Sequence, residues 1–88
     1  MGGADKIYKK LVKIVNKHQK VNNDFVFQIK CKNTDALESA LHILMYNYNS
    51  DITCIPGNSG NTGNTYTIKV HIHDALESGV ESRFLRYE

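Results

Sequence analysis

The segments FQIKCKNTDALESAL (residues 27–41) and YTIKVHIHDALESGV (residues 66–80) are two copies of one pattern. Seven of their fifteen positions are identical, and five of these form the repeated DALES at 35–39 and 74–78. The first half of each copy alternates apolar and polar residues, as a strand with one buried face does. The second half changes to helical spacing. Each copy is therefore predicted to form a strand followed by a helix.

The repeated DALES has a structural and a catalytic interpretation. An aspartate at a helix start accepts backbone N–H bonds, and a glutamate three residues later can reach back, as in a capping box. This predicts that Asp35 and Asp74 each cap and start a helix. Paired carboxylates for acid–base or metal chemistry are the alternative. Because capping requires only local backbone chemistry, we expect two scaffold elements without a shared site.

The rest of the 88 residues completes a single domain with the order α-β-α-β-β-α. Residues 1–22 have the pattern of a basic amphipathic helix, and residues 24–88 hold the two strand–helix repeats. Between the repeats lies a short strand, residues 51–55, which Pro56 is expected to halt. A Gly/Asn-rich hairpin loop at 56–64 follows it. This order predicts an α+β fold, a ferredoxin-like or split βαβ sandwich, in which the repeated strands are antiparallel neighbours.

The chain offers little room for a fourth strand. If the last helix ended at Gly79, residues 83–87 could form a strand, but about six residues are too few for a parallel crossover. We therefore predict a mainly antiparallel three-stranded sheet that leaves strand 25–32 at an edge. Whether residues 83–87 continue the last helix or form a strand is left open.

The order of elements is similar to that of a known family. Phe25–Lys30 with the helix after it, Asp51–Pro56 with its Gly/Asn/Ser loop, and Tyr66–Ile72 with the last helix resemble the small YbeD-like proteins of the βαββαβ, ACT-like type. The likeness covers residues 24–80 and rests on element order and loop composition. It implies a regulatory or interaction role, or alternatively a small-ligand sensor, and it carries no catalytic residue.

The clearest functional feature is a row of lysines in the first helix. At 100° per residue these lysines fall within an arc of about 100°, with an apolar side opposite. The lysines are Lys6, Lys9, Lys10, Lys13, Lys17 and Lys20, and the apolar residues are Ile7, Tyr8, Leu11, Ile14, Val15 and Val21. Residues 1–20 carry a net charge of +5 and the other 68 residues −3. A solvated face is one interpretation, whereas an acidic protein surface, nucleic-acid phosphate or an anionic membrane would be functional targets.

The solvent face of the sheet is predicted to add further basic residues, namely Lys30, Lys32, Lys69, His71 and His73. Phe25, Phe27 and Tyr66 point with the core set, so this face is expected to lack the central aromatics on which RNA bases stack. His71 and His73 have the spacing of a metal pair without a third ligand nearby. No metal and no cofactor are therefore predicted.

The two cysteines are predicted to be core thiols in a reducing compartment. Cys31 and Cys54 alternate with apolar neighbours, and neither has an adjacent base or helix N-terminus that would activate it. No apolar run reaches the roughly 18 residues that a membrane span requires. The sequence therefore predicts a cytoplasmic protein that is not an enzyme and does not insert into membranes.

The predicted function is a small non-catalytic interaction or regulatory module that binds an acidic protein surface through its lysine helix and sheet edge. Lysine outnumbers arginine nine to two and asparagine is abundant, a bias typical of AT-rich genomes. A phage or viral accessory protein acting on a host protein in the host cytoplasm would fit this bias. The alternative is a nucleic-acid-binding protein that uses the same lysines on phosphate. A homodimer is expected, through the unpaired edge strand 25–32 or through the solvent face of the sheet, because a core of this size is only just sufficient.

Overall fold

A computed structural model describes residues 3–61, 63–73 and 84–88 of the chain. The elements are α1 (Gly3–Gln19), β1 (Asp24–Cys31), α2 (Thr34–Asn47), β2 (Ser50–Gly60), β3 (Gly63–Ile72) and β4 (Leu85–Tyr87). The strands form one sheet in the order β1-β3-β2-β4. β3 is antiparallel to both β1 and β2, whereas β4 runs parallel to β2. The predicted α+β class is confirmed, as is the antiparallel pairing of the two repeated strands.

The helices α1 and α2 pack on one face of the sheet because the strands are predominantly apolar on that face. Alternate residues of β1 and β3 are buried, and α2 contributes Leu37, Leu41 and Leu44 at helical spacing. The main buried residues are Leu11, Val15, Phe27, Ile29, Leu37, Leu41, Leu44, Ile52, Tyr66, Ile68, Val70 and Ile72. Each fully buried aliphatic side chain stabilises the fold by roughly 1.5–3 kcal/mol. Neither described helix covers the opposite face of the sheet, which we call the open face.

The prediction of three strands is wrong, because Leu85–Tyr87 add a fourth strand beside β2. Ile52 N–H donates to Phe84 O at 3.0 Å, and Glu88 N–H donates to Cys54 O at 3.1 Å. The strand order also differs from a ferredoxin-like sheet, in which the last strand would lie beside β1. Here the chain passes from β3 to the far side of β2, and β4 is antiparallel to β3, so no parallel crossover is required. β1 lies at an edge, as predicted.

The predicted hairpin loop is largely a two-stranded ribbon. β2 continues through Pro56 to Gly60, and β3 already begins at Gly63, with a register irregularity in between. The strand tolerates Pro56 because alternate residues of β2, such as Ile52 and Cys54, turn their backbone groups towards β4. Pro56 continues this alternation beyond the end of β4, so its missing N–H removes no ladder bond.

The start of α2 corrects the capping prediction. The N-cap is Asn33, whose Oδ1 accepts the Ala36 N–H at 3.1 Å, and Asp35 lies within the first turn. Asp35 therefore contributes only through the helix dipole. The second DALES lies within 74–83, outside the described residues, as does the helix predicted from Asp74.

We expect Asn33→Ala to lower the free energy of unfolding by about 1 kcal/mol, because the Ala36 N–H loses its acceptor. The matched variant Asp35→Ala should cost only a few tenths of a kcal/mol, since a first-turn carboxylate interacts weakly with the dipole. Urea denaturation of both variants measures the difference. A larger cost at Asp35 than at Asn33 would contradict this assignment of the cap.

Candidate functional site

The lysines of the first helix lie opposite the buried residues Leu11 and Val15. Every one of them is exposed, and we call the set of Lys6, Lys9, Lys10, Lys13, Lys17 and Lys20 the lysine face. Within the part of the chain that the structure describes, the three ion pairs all involve histidine, so no lysine pairs with a carboxylate. Val21 was predicted to lie on the apolar side of the helix, but it does not. It is 89% exposed because α1 ends at Gln19.

Aromatic and amide contacts fix the position of α1. The His18 ring stacks on Phe25 of β1, with centroids 4.9 Å apart and planes 6° from parallel. Towards α2, Tyr48 Oη donates to Asn16 Oδ1 at 2.8 Å, and an equally short bond joins the amide of Asn47 to the hydroxyl of Tyr8. The lysine face is therefore presented on a helix held by both of its neighbours.

Polar side chains cross the open face in rows that the strand register defines. The two rows are Asp24–His71–Asp51 and Val26–Lys69–Thr53–Arg86. The carboxylates therefore lie in one row and Lys69 and Arg86 in the next, roughly 7 Å away along the strands. The open face is therefore mixed in charge. The sequence had predicted a basic surface there, formed by lysines and histidines.

His71 and His73 each contact a different carboxylate. His71 Nδ1 bonds to Asp24 Oδ1, and His73 Nε2 bonds to Asp51 Oδ2 at 2.8 Å. The second pair is largely buried, with side-chain exposures of 8% and 13%, and Asp51 Oδ1 also accepts the Phe84 N–H at 3.1 Å. Across the described ranges, no three His, Cys, Asp or Glu side chains gather in a way that could hold a metal ion. The His73–Asp51 pair, with the Phe84 N–H, thus joins the ends of β2, β3 and β4.

Phe84 is a residue of the open face that sequence reasoning missed. Its ring is 43% exposed, and the Arg86 guanidinium lies 4.8 Å from the ring centroid. Together with Val26, which is 52% exposed, it borders a shallow hollow of about 450 Å³ over Thr53 and Lys69. Phe84 precedes the edge strand β4, so it does not overturn the prediction for the centre of this face, where Tyr66 points into the core as expected. No pattern in the sequence indicates this placement, because β4 has too few residues to show a period.

The structure divides the predicted binding residues between two surfaces. The lysine face lies on the outside of the helix layer, whereas Lys30, Lys69 and His71 project from the opposite side of the sheet. Lys32 is exposed just beyond the end of β1, and His73 is held by Asp51. One flat partner surface could not contact both sets at once.

Both cysteines are free thiols in the core, as predicted. Cys31 Sγ donates to Asn33 O at 3.2 Å, and Cys54 is fully buried between the sheet and the helices. Burial raises the pKa of the Cys54 thiol from 9.0 to about 11. The fold should accordingly lose stability as pH rises from about 9 to about 11, because the thiol of the unfolded chain ionises first.

Cys54 should be almost inert to thiol reagents in the folded protein. In a Cys31→Ala variant, modification at about pH 8 should be at least about 100-fold slower than in denaturant, because two pKa units remove that much thiolate. The reaction with an aromatic disulfide reagent, followed by absorbance, measures both rates. Equal rates in the folded and unfolded chains would contradict the buried placement.

Comparison with family models, curated proteins and solved structures finds no match to this chain. The resemblance to YbeD-like proteins thus stays a prediction. Neither described helix is long and apolar enough to cross a membrane.

Proposed function

We propose that this protein is a small non-catalytic binding module whose lysine face engages an acidic surface of a protein partner. One observation carries the proposal: the six ammonium groups are exposed, five of them on α1 and that of Lys20 just beyond its end, and among the described residues none is neutralised by a carboxylate. The charge distribution agrees, since residues 1–20 carry +5 and the remainder −3. A rigid field of one sign attracts and orients a partner of the opposite sign.

The chemistry of the core supports a non-catalytic role. Both thiols are buried, and burial raises the pKa of Cys54 to about 11, which lowers the fraction of reactive thiolate below that of an exposed cysteine. Asp51 uses one oxygen for His73 and the other for the Phe84 N–H, which gives this pair a structural task at the strand ends. A module that binds but does not catalyse can regulate its partner by occupying a surface of it. We therefore propose a regulatory role.

Nucleic acid is the second candidate, because phosphate would attract the same lysines. Single-strand binding generally adds aromatic stacking to a basic groove. Here the exposed ring of Phe84 lies on the open face, on the opposite side of the sheet from the lysine face. The lysine face alone would bind phosphate without sequence preference and more weakly than about 1 μM at physiological salt. A small-ligand sensor of ACT-like type is a third candidate, favoured by the hollow beside Phe84.

We further propose that the module acts as a homodimer in the cytoplasm, in the host cytoplasm if the protein is viral. A chain of 88 residues buries a limited fraction of its surface, and association adds burial. The sequence also offers the sheet edge as a contact for the partner. The unpaired backbone of that edge strand suits a second copy of the chain better.

The proposal is tested by capture from an extract of the native host on the immobilised protein, with and without nuclease, followed by quantitative mass spectrometry. We expect proteins with acidic surfaces to be retained after nuclease treatment. The affinity of the purified partner should fall between about 50 and about 200 mM salt. Capture that nuclease abolishes would contradict the protein-partner proposal in favour of nucleic acid. A panel of small anionic metabolites that leaves the melting temperature unchanged would exclude the sensor.

A further inference from the structure

We infer that two copies of this chain pair through the outer edge of β1, antiparallel about a two-fold axis at Phe27. This inference rests on the proposed homodimer and names its surface. β1 is the edge strand of the four-stranded sheet, with β3 as its single neighbour among the described strands. A second copy would extend the sheet to eight strands.

The backbone of β1 is divided between its two sides. Ile72 N–H donates to Asn23 O at 2.9 Å, so the odd-numbered residues that follow turn their N–H and C=O groups towards β3. Val26, Gln28 and Lys30 turn theirs outward, where no described strand pairs with them. An edge of this kind is a template for strand addition.

The exposed side chains of β1 are complementary to themselves in this register. With the axis at Phe27, Asp24 lies opposite Lys30 of the second copy, and Val26 lies opposite Gln28 of the second copy. Symmetry repeats the carboxylate–ammonium contact at both ends of the pair. Asp24 is 68% exposed and uses Oδ1 for His71, which leaves Oδ2 available for the lysine.

Other registers match the charges less well. An axis at Lys30 places that lysine against its own copy, and an axis at Val26 leaves Lys30 opposite an asparagine. An axis at Gln28 would pair Asp24 with Lys32, which lies beyond the last strand residue, Cys31. Edge lysines commonly oppose strand pairing. In this edge an aspartate at the other end of the strand converts that repulsion into a preference for one antiparallel register.

Pairing through β1 would also determine how the dimer presents its two lysine faces. A two-fold axis perpendicular to the sheet keeps the helix layers of both copies on the same side. The two lysine faces would then be presented to one partner or one acidic surface together, and bivalent contact raises the apparent affinity without new contacts.

Light scattering during gel filtration tests the inference. The wild type should elute at twice the 10.0 kDa chain mass. Asp24→Lys and Lys30→Asp should each raise the dimer dissociation constant at least about tenfold. The double variant D24K/K30D should restore it to within about threefold, whereas the matched control D24K/K32D should not.

The outcomes separate the two claims. A wild type that stays monomeric at about 100 μM overturns the homodimer and this interface together. A stable dimer that the charge variants leave unchanged overturns the interface alone, and rescue by Lys32→Asp overturns the axis at Phe27. If circular dichroism shows that the charge variants are unfolded, Gln28→Pro and Gln28→Ala decide instead. The proline removes an outward N–H and should give a monomer, the alanine should stay dimeric, and a dimeric proline variant would contradict the edge.

Discussion

The triple variant K9E/K13E/K17E is expected to lose at least about 100-fold in affinity for the protein partner while remaining folded. These lysines lie on the exposed side of α1, and their reversal places carboxylates against an acidic surface. The fold should persist, because exposed charges on a helix contribute little to stability. Calorimetric titration with the captured partner gives the affinity, and circular dichroism verifies the helix.

The matched control is K32E/K69E/R86E, which changes the net charge equally on the other surfaces of the molecule. It should bind within about threefold of the wild type, since Lys69 and Arg86 lie on the open face and Lys32 lies beyond the end of β1, none of them on α1. Equal losses in the two triple variants would show that only net charge matters, and no loss in K9E/K13E/K17E would make the lysine face a solvated surface.

Replacing Gly63 by alanine should lower the free energy of unfolding by about 2–4 kcal/mol. Gly63 has φ +122°, a conformation that side chains rarely adopt, and it closes the ribbon against the end of β1. An added Cβ would lie 2.9 Å from the carbonyl carbon and oxygen of Cys31 and 3.1 Å from Lys32 N, all backbone atoms that cannot rotate away.

Gly60, the ladder partner of Gly63, provides the control for this effect. Its added Cβ would meet the nearest atom, Gly63 O, at 3.7 Å, which is ordinary contact. Gly60→Ala should therefore cost less than about 1 kcal/mol in the same urea denaturation series. Comparable losses for the two variants would contradict the close approach at Gly63.

The buried strands and helices could be predicted because periodicity extends over several residues. Phe27, Ile29 and Cys31 alternate, and the leucines of α2 recur at helical spacing. β4 could not be predicted in this way, because Leu85–Tyr87 are too few residues to show a period. Its position beside β2 depends on the path of the chain from β3, which local sequence does not encode.

The start of α2 shows a second limit of prediction from sequence. Asn33 and Asp35 are equally good caps by residue type. The choice falls on Asn33 because its backbone is extended, with φ −106° and ψ 101°, and because the helix that starts there buries Ala36 and Leu37 together. That selection is made by packing, which becomes visible only when the core is assembled.

The lysine face was predictable for the same reason as the core, since a helix period also orders the residues that avoid the core. The arrangement of side chains on the open face was less predictable. Which side chains meet across strands depends on register, and the sequence alone does not bring Asp24 beside His71 or Asp51 beside His73. The hydrogen bonds of both histidines and the exposure of Phe84 therefore emerged only from the structure.

The most direct test of the proposed function is carbodiimide cross-linking of the complex with its captured partner, because this reagent joins lysine amines to carboxylates in contact. Mass spectrometry should find bonds from Lys9, Lys13 and Lys17, together with other members of the lysine face, to aspartate or glutamate of the partner. Cross-links confined to Lys30, Lys32 and Lys69, or a complex without any lysine–carboxylate cross-link, would contradict binding through the lysine face.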